Sequence, residues 1–187
     1  MIRAFLAIIP PTALQQTMAE VRQVFERLSL PWRWVTPDHI HLTLRFLGNV
    51  PDEAVPSLLQ AIEQASLGQT VFALHARSLG CFPHPARPRV LWVGLDDPSQ
   101  ALGRLNERLI AALTPLGFPS EDRPFHPHLT LARAQNRSSL SQSLTLLQTY
   151  QNRDFGEFLV NHIHLVKSQL RRDGSVYTIL SSVALHS

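Results

Sequence analysis

Two short segments carry the residues best suited to chemistry: His41-Leu42-Thr43-Leu44 and His128-Leu129-Thr130-Leu131. They are separated by close to half of the 187-residue chain. In each, histidine and threonine alternate with leucine. On a strand, alternate side chains share a face, so His and Thr fall on one side and both leucines on the other. Two such strands brought together would place two imidazoles and two hydroxyls around one point. That set suits metal-free cleavage of a phosphodiester. A neutral imidazole takes a proton from the attacking oxygen, and a protonated one delivers a proton to the leaving oxygen. The threonine hydroxyls can donate hydrogen bonds to the non-bridging phosphate oxygens. One copy alone would say little, since it is two polar positions on a half-exposed strand. The weight lies in the repeat and its context, HLTLRFLG at 41–48 and PFHPHLTLAR at 124–133.

Other side chains have weaker claims. Arg45 shares parity with His41 and Thr43, which makes it a candidate for phosphate or ribose, or simply a solvated strand arginine. Arg133 has the opposite parity to His128 and would reach a phosphate only if the strand bulged or ended there. Trp32, Trp34, Phe46 and Phe125 are candidates for stacking on a base. Phe46 shares parity with Leu42 and Leu44 and is expected in the core, whereas Trp32 and Trp34 lie in a loop-like segment and suit a rim. Three His-x-His pairs, His39/His41, His126/His128 and His162/His164, have the spacing of metal ligands on a strand. Only one carboxylate, Asp38 beside His39, adjoins any of them, so the expectation is a site without metal or other cofactor. Cys81, the single cysteine, sits in no nucleophile motif and excludes an intrachain disulfide, which suits a reducing compartment.

The elements that must position these residues follow from periodicity. Residues 3–9 form a short apolar run stopped by prolines, which predicts a strand. Leu14, Met18, Val21, Phe25 and Leu28 give one helical stripe. The alternation of 41–47 predicts a strand, and Asp52 and Glu53 open a helix carrying Val55, Leu58, Leu59 and Ile62. Strands are expected at 71–79 and 88–95 around a proline-rich turn. A helix over 99–113 carries Leu102, Leu105, Leu109 and Leu113. The second alternating strand covers 128–133, a weaker helix 139–149, and strands 158–168 and 175–185 close the chain around the turn Arg171-Arg172-Asp173-Gly174. Helices interleaved with hairpin-like strand pairs predict an α+β fold with antiparallel sheets rather than a doubly wound parallel one.

Composition bounds the rest. Hydrophobic residues make up 44% and charged residues 17%, which describes a folded globular chain. The net charge of +3 gives no strong nucleic-acid signal by itself. The basic residues are sixteen Arg and only one Lys, Lys167. That reflects either codon usage or the fit of guanidinium to phosphate. The apolar run Ala4–Ile9 is too short for a signal peptide and no stretch is long enough to span a bilayer, so the expected location is the cytoplasm, away from membranes.

With these residues in place, the two motifs resemble the signatures of the 2H phosphoesterase superfamily. Within it the chain is similar to the bacterial RNA 2′,3′-cyclic phosphodiesterases, also called 2′-5′ RNA ligases. The likeness extends to the opening strand Arg3–Ile8, to Arg89-Val90-Leu91-Trp92-Val93-Gly94, and to Leu165–Leu170 with Gly174 and Tyr177. It implies a single domain, 1–187, of pseudo-symmetric bilobal α+β form. Each of the two antiparallel sheets then carries one motif beside a central groove, with helices flanking the sheets. It also implies His41 as proton donor, His128 as proton acceptor, and Thr43 and Thr130 on the phosphate, with Arg45 and Arg133 as further candidates for substrate. The implied partner is an RNA or oligonucleotide ending in a 2′,3′-cyclic phosphate, met by a monomer without cofactor. The implied reaction opens that phosphate to a 2′-monoester, with reversible ATP-independent 2′-5′ joining. The absence of a GxxxxGK phosphate loop agrees with ATP independence. Two other readings stand beside it: a phosphodiesterase acting on small cyclic nucleotides, and a non-catalytic RNA-binding module, for which two titratable groups would be superfluous.

Overall fold

The computed structural model describes residues 1–27, 31–120, 124–135, 143–171 and 174–186. Its strands are β1 (Ile2–Ile8), β2 (Trp32–Trp34), β3 (Leu42–Val50), β4 (Phe72–Phe82), β5 (Val90–Asp96), β6 (His128–Ala134), β7 (Asp154–Val160), β8 (His162–Arg171) and β9 (Gly174–Ala184). They lie in the order β7-β4-β5-β6-β3-β1-β8-β9, and β2 pairs with β6 off that path. All ladders between these strands are antiparallel. The expected α+β architecture is present, and its two antiparallel halves meet in one curled sheet. Outward from the middle, one half runs β6, β5, β4, β7 and the other runs β3, β1, β8, β9. Among the described residues they join at a single Cα partnership, Leu42 with Leu129. These are the leucines between His and Thr in each motif.

The helices are α1 (Thr12–Ala19), α2 (Val21–Glu26), α3 (Val55–Ser66), α4 (Ala101–Leu113) and α5 (Ser143–Thr149). Their apolar stripes pack together with one face of the sheet. Met18, Phe25, Leu58, Ile62, Leu102 and Leu105 share a core with Leu6, Ile8, Leu42, Leu91 and Leu129. The start of α4 is fixed by Asp97, whose carboxylate accepts the backbone N–H groups of Ala101 and Leu102, the usual way to satisfy orphan donors of a first turn. Pro56 stands in the first turn of α3, where its missing N–H costs nothing.

Some expectations need correction. The stripe from Leu14 to Phe25 is two short helices, broken at Glu20, and Leu28 lies outside the described residues. So do the Arg172-Asp173 centre of the last hairpin and the first residues of the expected 139–149 helix, which is helical from Ser143. Trp32–Trp34 is a strand rather than a loop. The single strand expected over 158–168 is two, β7 and β8, parted at Asn161. No turn signal marks the break because these strands form no hairpin: β7 pairs with β4 in one half and β8 with β1 in the other.

Leu129 is fully buried at the seam. Leu129→Ala is expected to lower stability by roughly 2–5 kcal/mol through lost burial and a residual cavity. Urea unfolding checks this, and a loss within experimental error would show that the two halves do not depend on their seam.

Candidate active site

Each motif strand carries an irregularity at the same place. In β3, Thr43 pairs with Ala7 and Arg45 with Leu6, so Leu44 is an extra residue between them. In β6, Thr130 pairs with Trp92 and Ala132 with Leu91, so Leu131 is extra. An inserted residue resets the alternation of a strand. Two consecutive side chains then point into the core, Leu44 and Arg45 in one half and Leu131 and Ala132 in the other. The next side chain in each strand, Phe46 or Arg133, turns to the face that holds His and Thr.

The bulges settle three expectations. Arg45, expected at the substrate or in solvent, is instead buried, its Nε has no hydrogen-bond partner, and it is not among the residues lining the groove. Phe46, expected in the core, is 57% exposed and lines the groove. Arg133 does line the groove, by the bulge its parity required. Trp32 is buried and Trp34 packs edge-on against Phe25 with ring centroids 5.9 Å apart, so neither tryptophan forms a rim. Phe125 borders a separate shallow depression beside α4.

The groove runs across the seam with a volume of about 430 Å³. His41, Thr43, His128, Thr130 and Arg133 line it, together with Arg3, His39, Phe46 and Tyr177, and no carboxylate among the described residues does so. The two motif histidines are held identically. His41 Nδ1 is 2.7 Å from the carbonyl oxygen of His39, and His128 Nδ1 is 2.7 Å from that of His126. A carbonyl only accepts, so each Nδ1 carries the proton and each neutral ring keeps its lone pair on Nε2. His41 Nε2 is 3.1 Å from Thr43 Oγ1, whose hydroxyl donates to it.

Aromatic rings grip both imidazoles. Phe5 stacks on His41 at 4.8 Å, and Tyr177 meets that imidazole edge-on at 5.3 Å. Phe82 meets His128 edge-on at 5.0 Å, with Trp92 behind at 6.3 Å. Sequence reading passed over Phe5, Phe82 and Trp92 as contacts of the histidines. Phe5 was legible as an odd-numbered member of β1, facing away from Leu6 and Ile8. Burial lowers the pKa of both histidines. The carbonyl bonds oppose this, and nearby positive groups, Arg133 among them, add to the lowering. The free site therefore has neutral imidazoles in a cationic groove, an arrangement that an entering phosphate relieves.

His162 and His164 stack on each other at 5.9 Å away from this groove. His39 stands at its edge against Tyr177 at 4.7 Å. Among the described residues, no group of three or more His, Cys, Asp or Glu side chains is placed to hold a metal ion, and no helix is long and apolar enough to cross a membrane. Cys81 is buried in β4, and burial raises its pKa.

Residues 5–172 match the 2′-5′ RNA ligase superfamily. The chain is 34% identical to the RNA 2′,3′-cyclic phosphodiesterase of Aeropyrum pernix, across 89% of this chain and 93% of that one. It is 28% identical to the protein of the same name from Aquifex aeolicus, across 98% and 97%. Among solved structures, TT0787 of Thermus thermophilus superposes with a TM-score of 0.83 at 31% identity, covering 99% of this chain and 98% of that one. E. coli LigT complexed with 3′-AMP superposes at 0.77 with 27% identity, covering 100% and 99%.

Two expected outcomes follow from the geometry. Gly80 faces Trp92 across the β4–β5 ladder, and a Cβ there would overlap the indole. Gly80→Ala should displace Trp92, destabilise the fold by about 1–3 kcal/mol as overpacking does, and shift the His128 ring resonances in NMR. Unchanged resonances would mean that Trp92 does not support His128. The second concerns pH. His41 and His128 titrate lower when folded than unfolded, so the folded state binds fewer protons. Their stabilisation is present above pH ~6.5 and is lost as pH falls through the folded values. Denaturation midpoints that rise between pH 7 and 5 would contradict this.

Proposed function

Because the chain belongs to the 2′-5′ RNA ligase superfamily, we propose that it opens a 2′,3′-cyclic phosphate at the 3′ end of an RNA, leaving a 2′-phosphomonoester. One observation carries the proposal: two matched His-x-Thr faces, with both imidazoles locked by backbone carbonyls, line one cationic groove without carboxylates among the described residues. The names of the relatives supply the substrate class. In this reading the whole chain is one domain of two lobes, each contributing one motif.

The mechanism needs only this chain's residues and water. The phosphate anion enters beside Thr43, Thr130 and Arg133, whose hydroxyls and guanidinium donate to its non-bridging oxygens. Its negative charge raises the depressed histidine pKa values, so that one imidazole holds a proton while the other stays neutral. His128, neutral at Nε2, removes a proton from water as the water oxygen bonds to phosphorus. The P–O3′ bond breaks on the opposite side, and His41 protonates O3′. The phosphate stays on O2′. If a 5′-hydroxyl of a second RNA takes the place of water, the same proton transfers produce a 2′-5′ linkage without ATP, and the reverse reaction restores the cyclic phosphate. The groove has the volume of a small-molecule site, enough for the terminal nucleotide. Phe46, exposed beside it, offers an aromatic face for the base.

His41→Ala and His128→Ala should each lower turnover by roughly 10²–10⁴-fold on an RNA with a cyclic phosphate end. Because the pair acts as a unit, the double variant should lose much less than the product of the single losses. Near-normal turnover in either single variant, with the fold intact, would refute the two-histidine mechanism. Identification of the product by NMR tests the orientation: a 3′-monoester would reverse the assigned acid and base. Activity should survive exhaustive chelation, and its loss with recovery on one added divalent ion would favour the metal reading. With both free histidines depressed, kcat/KM should be bell-shaped with its optimum on the acid side of pH ~6.5. The kcat profile should lie at higher pH, since the bound anion raises both values. An alkaline optimum in kcat/KM would contradict the assigned environment.

A further inference from the structure

We propose that Arg33 forms a second phosphate subsite, which takes the phosphate on the 5′ side of the terminal nucleoside and so makes the site favour RNA ends over free cyclic nucleosides. The inference rests on the reading above and names the part of the substrate that this residue reads.

Arg33 is the outward residue of β2, between buried Trp32 and half-buried Trp34. Its Cα partner on β6 is Arg133. Directly paired residues of antiparallel strands project from the same face, so the two guanidinium groups rise side by side from the face that bears His128 and Thr130. Like charges directly opposite each other are unfavourable in a ladder. Among the described residues no acid relieves them, since neither guanidinium has a side-chain ion pair or hydrogen bond there. Arg33 is also directed. Its Nη2 would be 3.4 Å from a Cβ built on Gly174, at the turn between β8 and β9. The guanidinium thus reaches from one half of the sheet to the other beside Ser175, which lines the groove. It stands next to two residues at that end of the groove, Arg133 across the ladder and Ser175 one residue beyond Gly174, without itself lining the groove.

Two cations held side by side, without an ion pair among the described residues, favour two anions, or one of high charge. Arg133 lies with the histidines and threonines around the reacting phosphate. Arg133 is three residues beyond Thr130, but with Leu131 inserted the partners on β5 advance only two, from Trp92 to Val90, roughly 6–7 Å. Arg33 stands across the ladder from Arg133, on the seam edge of β6, and adds a second cation one strand spacing, roughly 5 Å, from it. An RNA end offers one more anion at that remove, the phosphodiester on O5′ of its last nucleoside. A free cyclic nucleoside has none.

The test compares adenosine 2′,3′-cyclic phosphate with the same compound bearing a 5′-phosphate, in wild type, Arg33→Gln and Arg33→Lys. Wild type should favour the 5′-phosphorylated substrate through KM. Arg33→Gln should remove about tenfold of that preference, the scale of one charge-assisted bond, while leaving kcat and the other substrate unchanged. Arg33→Lys should retain part of it. In parallel, calorimetry with 2′-AMP and adenosine 2′,5′-bisphosphate should show Arg33→Gln weakening only the bisphosphate. Equal loss on both substrates would place Arg33 at the reacting phosphate or in the fold, and an intact 5′-phosphate preference would leave it a solvated cation. Either result overturns the proposal. If wild type opens neither cyclic phosphate, the activity assignment fails, and the calorimetric arm still decides whether Arg33 binds the 5′-phosphate.

Discussion

One pair of residues ties the site to the fold. Among the described residues, Leu42 and Leu129 are the sole Cα partners between β3 and β6, and thus the only rung joining the two halves of the sheet along its main path. Each stands between a histidine and a threonine. Since neighbouring side chains on a strand face opposite ways, burying the two leucines in the shared core turns His41, Thr43, His128 and Thr130 together to the other side. The core side chains that stabilise the seam therefore also set the spacing of the reactive groups. No separate loop is needed to bring the two motifs into register.

The groove is also built by a departure from strict alternation. A bulge one residue after each threonine gives the core two side chains in succession and returns the next to the groove. The two halves use the same device and fill it differently. One presents Phe46, an aromatic face, and the other presents Arg133, a cation. Near-symmetric backbones thus yield a groove with an aromatic side and a cationic side, the combination that the proposed nucleotide substrate calls for. The imidazoles share one tautomer because each accommodates the same carbonyl two residues upstream.

How much of this was legible follows from the same physics. The histidines, the threonines and the antiparallel α+β architecture could be read because period-two alternation and helical stripes are local. Arg45 and Phe46 exchanged their expected places because an inserted residue leaves no mark in side-chain pattern, and Arg133 was conditional on the same feature. Trp32 and Trp34 read as rim residues because a three-residue strand is too short to show a period. The break at Asn161 was hidden because a chain that passes from one half to the other needs no turn residue. Gly80 drew no attention in sequence, for its role exists only once Trp92 lies across the ladder from it.

That passage at Asn161 has a bearing on how the chain assembles as it is made. The half holding His128 uses strands from β4 to β7, together with the earlier β2, and has all of them once residue 160 has been synthesised. The half holding His41 begins with β1 and β3 but has no partner for the other edge of β1 until β8 appears, and β9 comes later still. The first strand thus waits for nearly the last, a contact of high sequence separation whose closure is entropically costly and slow. During translation the second motif can enter a completed sheet while the first still lies on an exposed edge. The sheet that carries both motif histidines is therefore complete only when β8 has folded back onto β1 and β9 onto β8.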